Sequence, residues 1–173
     1  MHKILVVSHC ILNTASKVIS YNEAEQREEA GHRRSLLEYI LKEDIQMLQL
    51  PCPELLMYGT KRWGHVKDQF DNPFFRGQCR QLLEPVILQL KEYAKSPERF
   101  QLVGIVAIDF SPSCGYHVTC KGDWGGELSG CPGLEQKLGA LSSVPEPGVF
   151  MEEFAKLLEE AKLSVPILDL SSF

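Results

Sequence analysis

The sequence predicts an α/β fold, because apolar strands and amphipathic helices alternate along the chain. Four short runs rich in Val, Ile and Leu are typical of strands buried on both faces of a parallel sheet, at residues 3–8, 45–50, 102–108 and 165–170. Segments with a helical spacing of apolar side chains lie between them. We therefore expect one Rossmann-like or flavodoxin-like domain, with a parallel sheet of about four strands and helices on both faces.

Three segments have the apolar spacing of helices, at residues 34–42, 78–95 and 149–162. The second strand must end at Pro51, because proline cannot donate to a sheet hydrogen bond. Residues 13–31 show no clear amphipathic period outside a Glu/Gln/Arg-rich segment, and residues 59–72 show none. Residues 109–148 are rich in Gly, Pro, Ser and Cys and are longer than an ordinary connection. We expect them to form an irregular insertion within a single domain of residues 1–173.

The composition excludes several classes of protein. Of the 173 residues, 44% are apolar and 24% charged, which is typical of a globular protein. A net charge of −5 at pH 7 argues against nucleic acid or an anionic membrane as the main partner. No apolar run approaches the roughly 20 residues of a membrane span, and the N-terminal residues lack a signal-peptide cleavage site. We therefore expect a cytoplasmic protein, monomeric or homodimeric, that acts on a small molecule.

Three of the six cysteines follow predicted strands. Cys10, Cys52 and Cys114 each lie within a few residues of the carboxyl end of one strand, beside Pro, Gly, Ser or His. Because parallel strands end at one edge of a sheet, we expect these three thiols to converge there. Thiolates in close proximity repel one another unless a cation or cluster holds them. The pattern favours a zinc or iron–sulfur site with one open coordination position over simple core packing.

The other three cysteines carry weaker signals. Cys79 lies near the start of a predicted helix, where packing is its expected role. Cys120 and Cys131 lie in the Gly-rich region, and their spacing from Cys114 matches no established zinc finger.

Three polar side chains accompany the strand-end cysteines. Glu54 follows Cys52 by two residues in a Pro-constrained turn, so we expect it beside the same site. There it can serve as a general acid or base, or simply cap the next segment. Ser111 and Ser113 can orient water or substrate, or form turns. Tyr58, Arg62, Trp63 and Trp124 form a second candidate group, either a stacking pocket for a planar ring or the packed interior of loops.

These blocks resemble a known family. They are Ser8-x-Cys10 after the first strand, Cys52-Pro53-Glu54 after the second and Ser111-Pro112-Ser113-Cys114-Gly115 after the third. In this order and at these separations they resemble the thiouracil desulfidase family, over about residues 3–115. The segments that follow the first two blocks differ from the usual family sequences. The chain therefore resembles a divergent member of this family.

The resemblance implies a 4Fe–4S cluster held by Cys10, Cys52 and Cys114, with one iron open to the sulfur of a thiocarbonyl substrate. It implies a non-redox replacement of C=S by C=O, with water as the oxygen source and release of sulfide. Glu54 would move protons, while Ser111 would help to orient water or substrate. The alternative hypothesis is a zinc- or thiol-based module that binds a small ligand or senses redox state without turnover.

Overall fold

A computed structural model describes all residues from 1 to 173. In chain order its elements are β1 (His2–Val7), α1 (His9–Leu12), a 3-10 helix (Thr14–Ser16), α2 (Glu23–Lys42), β2 (Ile45–Gln49), α3 (Pro53–Tyr58), α4 (Lys67–Phe70), α5 (Pro73–Ala94), β3 (Phe100–Ala107), β4 (Thr119–Lys121), α6 (Leu134–Gly139), β5 (Ser142–Val144), α7 (Val149–Glu160), β6 (Ile167–Asp169) and a 3-10 helix (Leu170–Ser172).

Four of the strands form one parallel sheet, in the order β2-β1-β3-β6. The predicted α/β fold class is thereby confirmed. This order is the one that flavodoxin-like sheets have at their first four strands. From β1 the chain reaches β2 on one side, and β3 then lies on the other side of β1. The order of the strands therefore reverses at the β1/β3 boundary, where ligands bind in open parallel sheets.

Helices cover both faces of the sheet because successive strand residues point to opposite sides. On β3, Ile105 and Ala107 pack into the larger apolar cluster, which contains α5 and α7. Val106, between them, packs into the smaller cluster on the opposite face, together with Leu36 and Ile40 of α2. Cys79 is fully buried in the larger cluster, which confirms packing as its role. None of the helices combines the length and the apolar character that crossing a membrane requires.

Helix α2 starts well before the predicted residues 34–42. Asn22 caps it, since its side chain accepts hydrogen bonds from the backbone N–H groups of Ala24 and Glu25. The buried residues of α2 are Leu36 and Ile40, both in its second half. The first half has no apolar stripe because it does not pack on the sheet. Its periodicity therefore gave no helix signal.

The other differences lie in short or capped segments. Helix α5 begins at Pro73 rather than residue 78, because Asn72 caps it and Pro73 occupies the first helical position. Residues 59–72 contain the single-turn helix α4. Residues 109–148 are not irregular throughout: β4 and β5 form a two-stranded antiparallel sheet, and α6 lies between them.

A charge network joins α5 to the first turns of α7. Arg76 of α5 donates hydrogen bonds to the carboxylates of Glu152 and Glu153, at 3.1 and 2.6 Å. Lys156 of α7 donates to both carboxylates as well. Burial of the Glu152 carboxyl opposes ionisation, but the bonds from Lys156 and Arg76 outweigh it and lower its pKa from 4.5 to about 2.

This network predicts an acid-labile contact between α5 and α7. A carboxyl whose pKa is lower in the folded state contributes stability above its unfolded pKa, and that stability is lost as the pH falls through the folded pKa. We expect the free energy of unfolding to fall by about 3 kcal/mol between pH 4.5 and 2 because of Glu152. Urea unfolding across this range measures it. The Glu152→Gln variant should lose most of this pH dependence, and an unchanged slope would contradict the assignment.

Candidate functional site

The predicted site residues meet at the carboxyl edge of the sheet. A cavity of about 820 Å³ lies there, beyond the ends of β1, β2 and β3. All six candidate residues line it: Cys10, Cys52, Glu54, Ser111, Ser113 and Cys114. Much of the remaining wall consists of the 3-10 helix Thr14–Ser16, the loop that follows it and the first half of α2. The fold therefore brings together residues that are more than 100 positions apart in the sequence.

Each cysteine is placed by a different local structure. Cys10 is the second residue of the single-turn helix α1. Ser8 is the N-cap of this helix, and its hydroxyl donates to the Val106 carbonyl at 2.9 Å. Cys52 is the N-cap of α3, and its Sγ accepts a hydrogen bond from the Leu55 N–H at 3.4 Å. The Sγ of Cys114 accepts a hydrogen bond from the Ser113 hydroxyl at 3.5 Å. The Ser113 hydroxyl has a single proton, which it shares between the Cys114 sulfur and the Glu54 carboxylate, so Cys52 is the one of the three with a donor of its own. A donor stabilises a thiolate more than a thiol.

Burial acts in the opposite direction on these thiols. It raises the pKa of Cys10 to about 11, and it also raises the pKa values of Cys52 and Cys114. The proximity of Cys10 and Cys52 raises the pKa of Cys114 further. Without a compensating cation the three groups are therefore neutral at pH 7. A metal or cluster would have to displace their protons on binding.

The three thiols line one cavity, but they do not meet closely enough to bind one metal ion together. No group of three or more His, Cys, Asp or Glu side chains is spaced for direct ligation of one metal ion. The donor set itself consists of soft sulfur ligands, which suit zinc or iron–sulfur clusters. The chemistry of the donors, the cavity that they share and the hydrogen bond to the Cys52 sulfur therefore fit a group larger than one ion.

Glu54 is held from both sides by hydrogen bonds. Its Oε2 accepts from the Nε of Arg62 at 3.2 Å, and its Oε1 accepts from the hydroxyl of Ser113. The Arg62 side chain is only 3% exposed and that of Glu54 only 12% exposed. The remaining nitrogens of Arg62 donate to the carbonyls of Gly59 and Ser16, at 3.0 and 2.8 Å. Arg62 therefore fixes the carboxylate relative to the wall that contains Ser16.

The two serines have different roles in the structure. The Oγ of Ser113 contacts both Glu54 and the Cys114 sulfur. The Oγ of Ser111 accepts hydrogen bonds from the backbone N–H groups of Ser113 and Cys114, at 3.3 and 3.0 Å. It also lies 3.3 Å from the Ser113 hydroxyl. Ser113 is thus the serine that contacts the carboxylate, whereas Ser111 shapes the turn that presents it.

The first turn of α7 holds this serine-containing loop in place. The backbone N–H groups of Val149 and Met151 donate to the carbonyls of Pro112 and Ser113, at 3.0 and 3.1 Å. Gly148 makes this close approach possible, since a Cβ there would lie 2.7 Å from the Ser113 carbonyl carbon. The orphan donors of a helix N-terminus are satisfied in this way by the site loop. No local pattern in the sequence predicts this contact.

The aromatic group predicted as a stacking pocket does not assemble. Of its members, only Arg62 lines the cavity. Tyr58 packs with His65, Phe70 and Phe75. Trp63 is largely exposed, and the indole N–H of Trp124 donates to a carbonyl of α6. The alternative, a packed interior, fits Trp124 and also Tyr58, which lies at the end of α3, but not the exposed Trp63.

Cys120 and Cys131 lie outside the cavity wall. Sequence reasoning missed other residues that do line it, namely Lys17, Glu29, Arg33, His65 and Phe110. Lys17 and Glu29 form an ion pair between the loop after the 3-10 helix and α2. These residues lie in segments without a motif, so only the fold reveals them.

Replacing Arg62, the cation that pairs with Glu54, should lower the free energy of unfolding. In the Arg62→Gln variant the carboxylate would keep its buried position without its counter-charge, and we expect a loss of about 3 kcal/mol in the free energy of unfolding. Urea unfolding of metal-free protein measures it. The double variant Arg62→Gln/Glu54→Gln should recover part of the loss, because the uncompensated charge is gone. A single variant as stable as the wild type would show that the pair contributes nothing.

Comparison with known proteins finds one relative, which matches part of the chain. The chain is 41% identical over 103 residues to the uncharacterized protein MJ0003 of Methanocaldococcus jannaschii. The matched segment is 60% of this chain and spans 63% of the length of that relative. No family model matches the chain. No solved structure matches it either.

Proposed function

We propose that this protein is an iron–sulfur-dependent desulfidase that replaces C=S by C=O in a small thiocarbonyl compound and releases sulfide without net redox change. One observation carries the proposal: three thiols and a hydrogen-bonded Glu54–Ser113 pair line one cavity at the carboxyl edge of the sheet. The resemblance of the three sequence blocks to thiouracil desulfidases supplies the reaction. The protein is proposed to work in the cytoplasm, as a monomer or homodimer.

Cys10, Cys52 and Cys114 would hold a 4Fe–4S cluster, since all three line the cavity and none forms a disulfide. When bound, such a cluster supplies a soft Lewis acid that polarises a thiocarbonyl group through its sulfur. The backbone N–H of Leu55 would remain hydrogen-bonded to the Cys52 thiolate, and the Ser113 hydroxyl could donate to the Cys114 thiolate when it no longer donates to Glu54. Hydrogen bonds to cluster sulfurs are one of the means by which proteins adjust these sites.

Glu54 is the group in the cavity that is best placed to move protons. Its carboxylate accepts from Ser113, whose hydroxyl is in turn within 3.5 Å of the Cys114 sulfur. A water molecule that takes the place of the Ser113 donor would transfer its proton to Glu54 Oε1 as it attacks the thiocarbonyl carbon. Arg62 keeps the opposite oxygen occupied, so Oε1 remains the oxygen that faces the sulfurs. Glu54 would return this proton to the substrate sulfur, and then take up the proton of the new hydroxyl as the C–S bond breaks, the C=O bond forms and the sulfur leaves as hydrosulfide.

The first experiment is a measurement of iron, zinc and acid-labile sulfide in protein purified without oxygen, together with a visible spectrum. We expect a brown protein with absorbance at about 400 nm and roughly four irons and four sulfides per chain. Sulfide release from 2-thiouracil and from thioacetamide then tests turnover. A protein that stays colourless after anaerobic cluster reconstitution would refute the proposal. Zinc in place of iron would support the non-enzymatic ligand-binding or redox-sensing alternative.

A further inference from the structure

Phe110 has an unusual position at the wall of the cavity. It lies three residues after β3 and directly before Ser111, and it lines the same cavity as the three thiols. Its side chain is 63% exposed. Apart from the imidazole of His65, it is the one aromatic ring in the cavity wall. The aromatic rings of Tyr58, Trp63 and Trp124, which were expected near the site, are elsewhere. Phe110 is therefore the ring available for stacking in this cavity.

The backbone of Phe110 is strained. Its φ is +69°, in the left-handed region that bulky side chains rarely adopt. Hydrogen bonds on both sides impose this conformation. The Phe110 N–H donates to the Val118 carbonyl at 2.9 Å, and the Ser111 N–H donates to the Ile108 carbonyl at 3.3 Å. On the other side, the N–H of Asp109 donates to the Asp169 carboxylate at 2.8 Å.

Phenylalanine at position 110 destabilises the protein without a bound ligand in two ways. Glycine would adopt the left-handed backbone without strain, and a polar side chain would avoid exposing an apolar ring to water. Neither cost is offset by packing, because most of the ring is exposed. Strained residues cluster at ligand-binding sites, where the ligand completes the contacts that the free protein lacks.

We propose that Phe110 is a specificity-determining residue that stacks on the flat face of a ring-shaped substrate. The ring would cover the substrate while the thiocarbonyl sulfur points toward the thiols. This inference rests on the proposed function for the reaction, but it adds a discrimination that the thiols and Glu54 cannot supply. Planar heterocycles should bind much better than acyclic thioamides of the same chemistry, since acyclic molecules offer little surface for stacking.

The test measures binding of uracil and 2-thiouracil to anaerobically purified protein by isothermal titration calorimetry, with thioacetamide as the acyclic control. Removing a ring that stacks on a base weakens binding by about 5- to 100-fold. We expect this loss for both heterocycles in Phe110→Ala and Phe110→Gly. Phe110→Tyr should retain affinity within about threefold, and thioacetamide should show no dependence on residue 110.

The glycine variant separates a binding role from a structural one. Because glycine relieves the left-handed strain, Phe110→Gly should raise Tm by about 2 °C while it weakens binding of the heterocycles. A residue needed only for folding would lower Tm. Heterocycle binding that is unchanged in Phe110→Ala, or absent in the wild type, would overturn the inference. Iron content is measured on the same samples. Protein without iron would contradict the proposed cluster, whereas iron-containing protein whose heterocycle binding does not depend on residue 110 would contradict stacking by Phe110.

Discussion

Replacing Cys10, Cys52 or Cys114 by alanine should remove most of the iron from the anaerobically purified protein. Each of these thiols lines the cavity, and a cluster held by three protein ligands has no spare thiolate to substitute for a lost one. We expect iron and acid-labile sulfide to fall at least several-fold in each variant, with loss of the absorbance at about 400 nm. Sulfide release from a thiocarbonyl compound should fall to background.

Two other cysteines provide matched controls. Cys131→Ala changes a thiol in the Gly-rich region outside the cavity and should keep the full iron content. Cys79→Ala should keep it too, although this variant removes a fully buried side chain from the core and should be less stable. A variant at Cys10, Cys52 or Cys114 that retains full iron would remove that residue from the ligand set. Equal losses in all five variants would indicate misfolding instead of ligand loss.

Replacing Glu54 by glutamine should have the second largest effect on turnover, without loss of the proposed cluster, although the buried Arg62 then lacks its counter-charge and the variant should be less stable. Glutamine has nearly the same shape and can still contact Ser113, but it cannot take up a proton. We expect kcat for sulfide release to fall by about 10²- to 10⁴-fold, which is the usual contribution of a general acid or base. Iron content should be unchanged, because Glu54 is not among the proposed ligands. Kinetics of sulfide release together with iron analysis test both expectations.

The Glu54→Asp variant distinguishes proton transfer from charge. Aspartate keeps the carboxylate but shortens the side chain, so its contact with Ser113 is lost and an intermediate rate is expected. Glu23→Gln removes an exposed carboxylate from the first turn of α2 and should leave the rate unchanged. If Glu54→Gln turns over as fast as the wild type, Glu54 has no role in proton transfer.

The strands and the convergence of the cysteines could be predicted from the sequence because both depend on a simple physical pattern. A strand buried on both faces is a continuous apolar run, and its end is marked by the first polar or proline residue. Parallel strands all end at one edge, so Cys10, Cys52 and Cys114 follow directly. Glu54 could be placed there as well, since it is only two residues from Cys52.

The remaining features depend on contacts that have no local pattern. The first half of α2 is polar on all sides, so its helical structure depends on the Asn22 cap instead of an apolar stripe. The pairing of Arg62 with Glu54 requires the loop after α3 to fold back on the site. The left-handed backbone of Phe110 is imposed by partners such as Val118, and phenylalanine itself gives no sign of it.

The contact between α7 and the serine loop ties the acid tolerance of the whole protein to its site. Glu152 belongs to the same first turn of α7 whose N–H groups hold Pro112 and Ser113. When acid neutralises Glu152, that turn loses one of its two charged contacts with Arg76 and keeps the one through Glu153, so the support of the loop that presents Ser113 is weakened. The lower pH limit of the proposed activity would then depend on a carboxyl that lies outside the cavity wall.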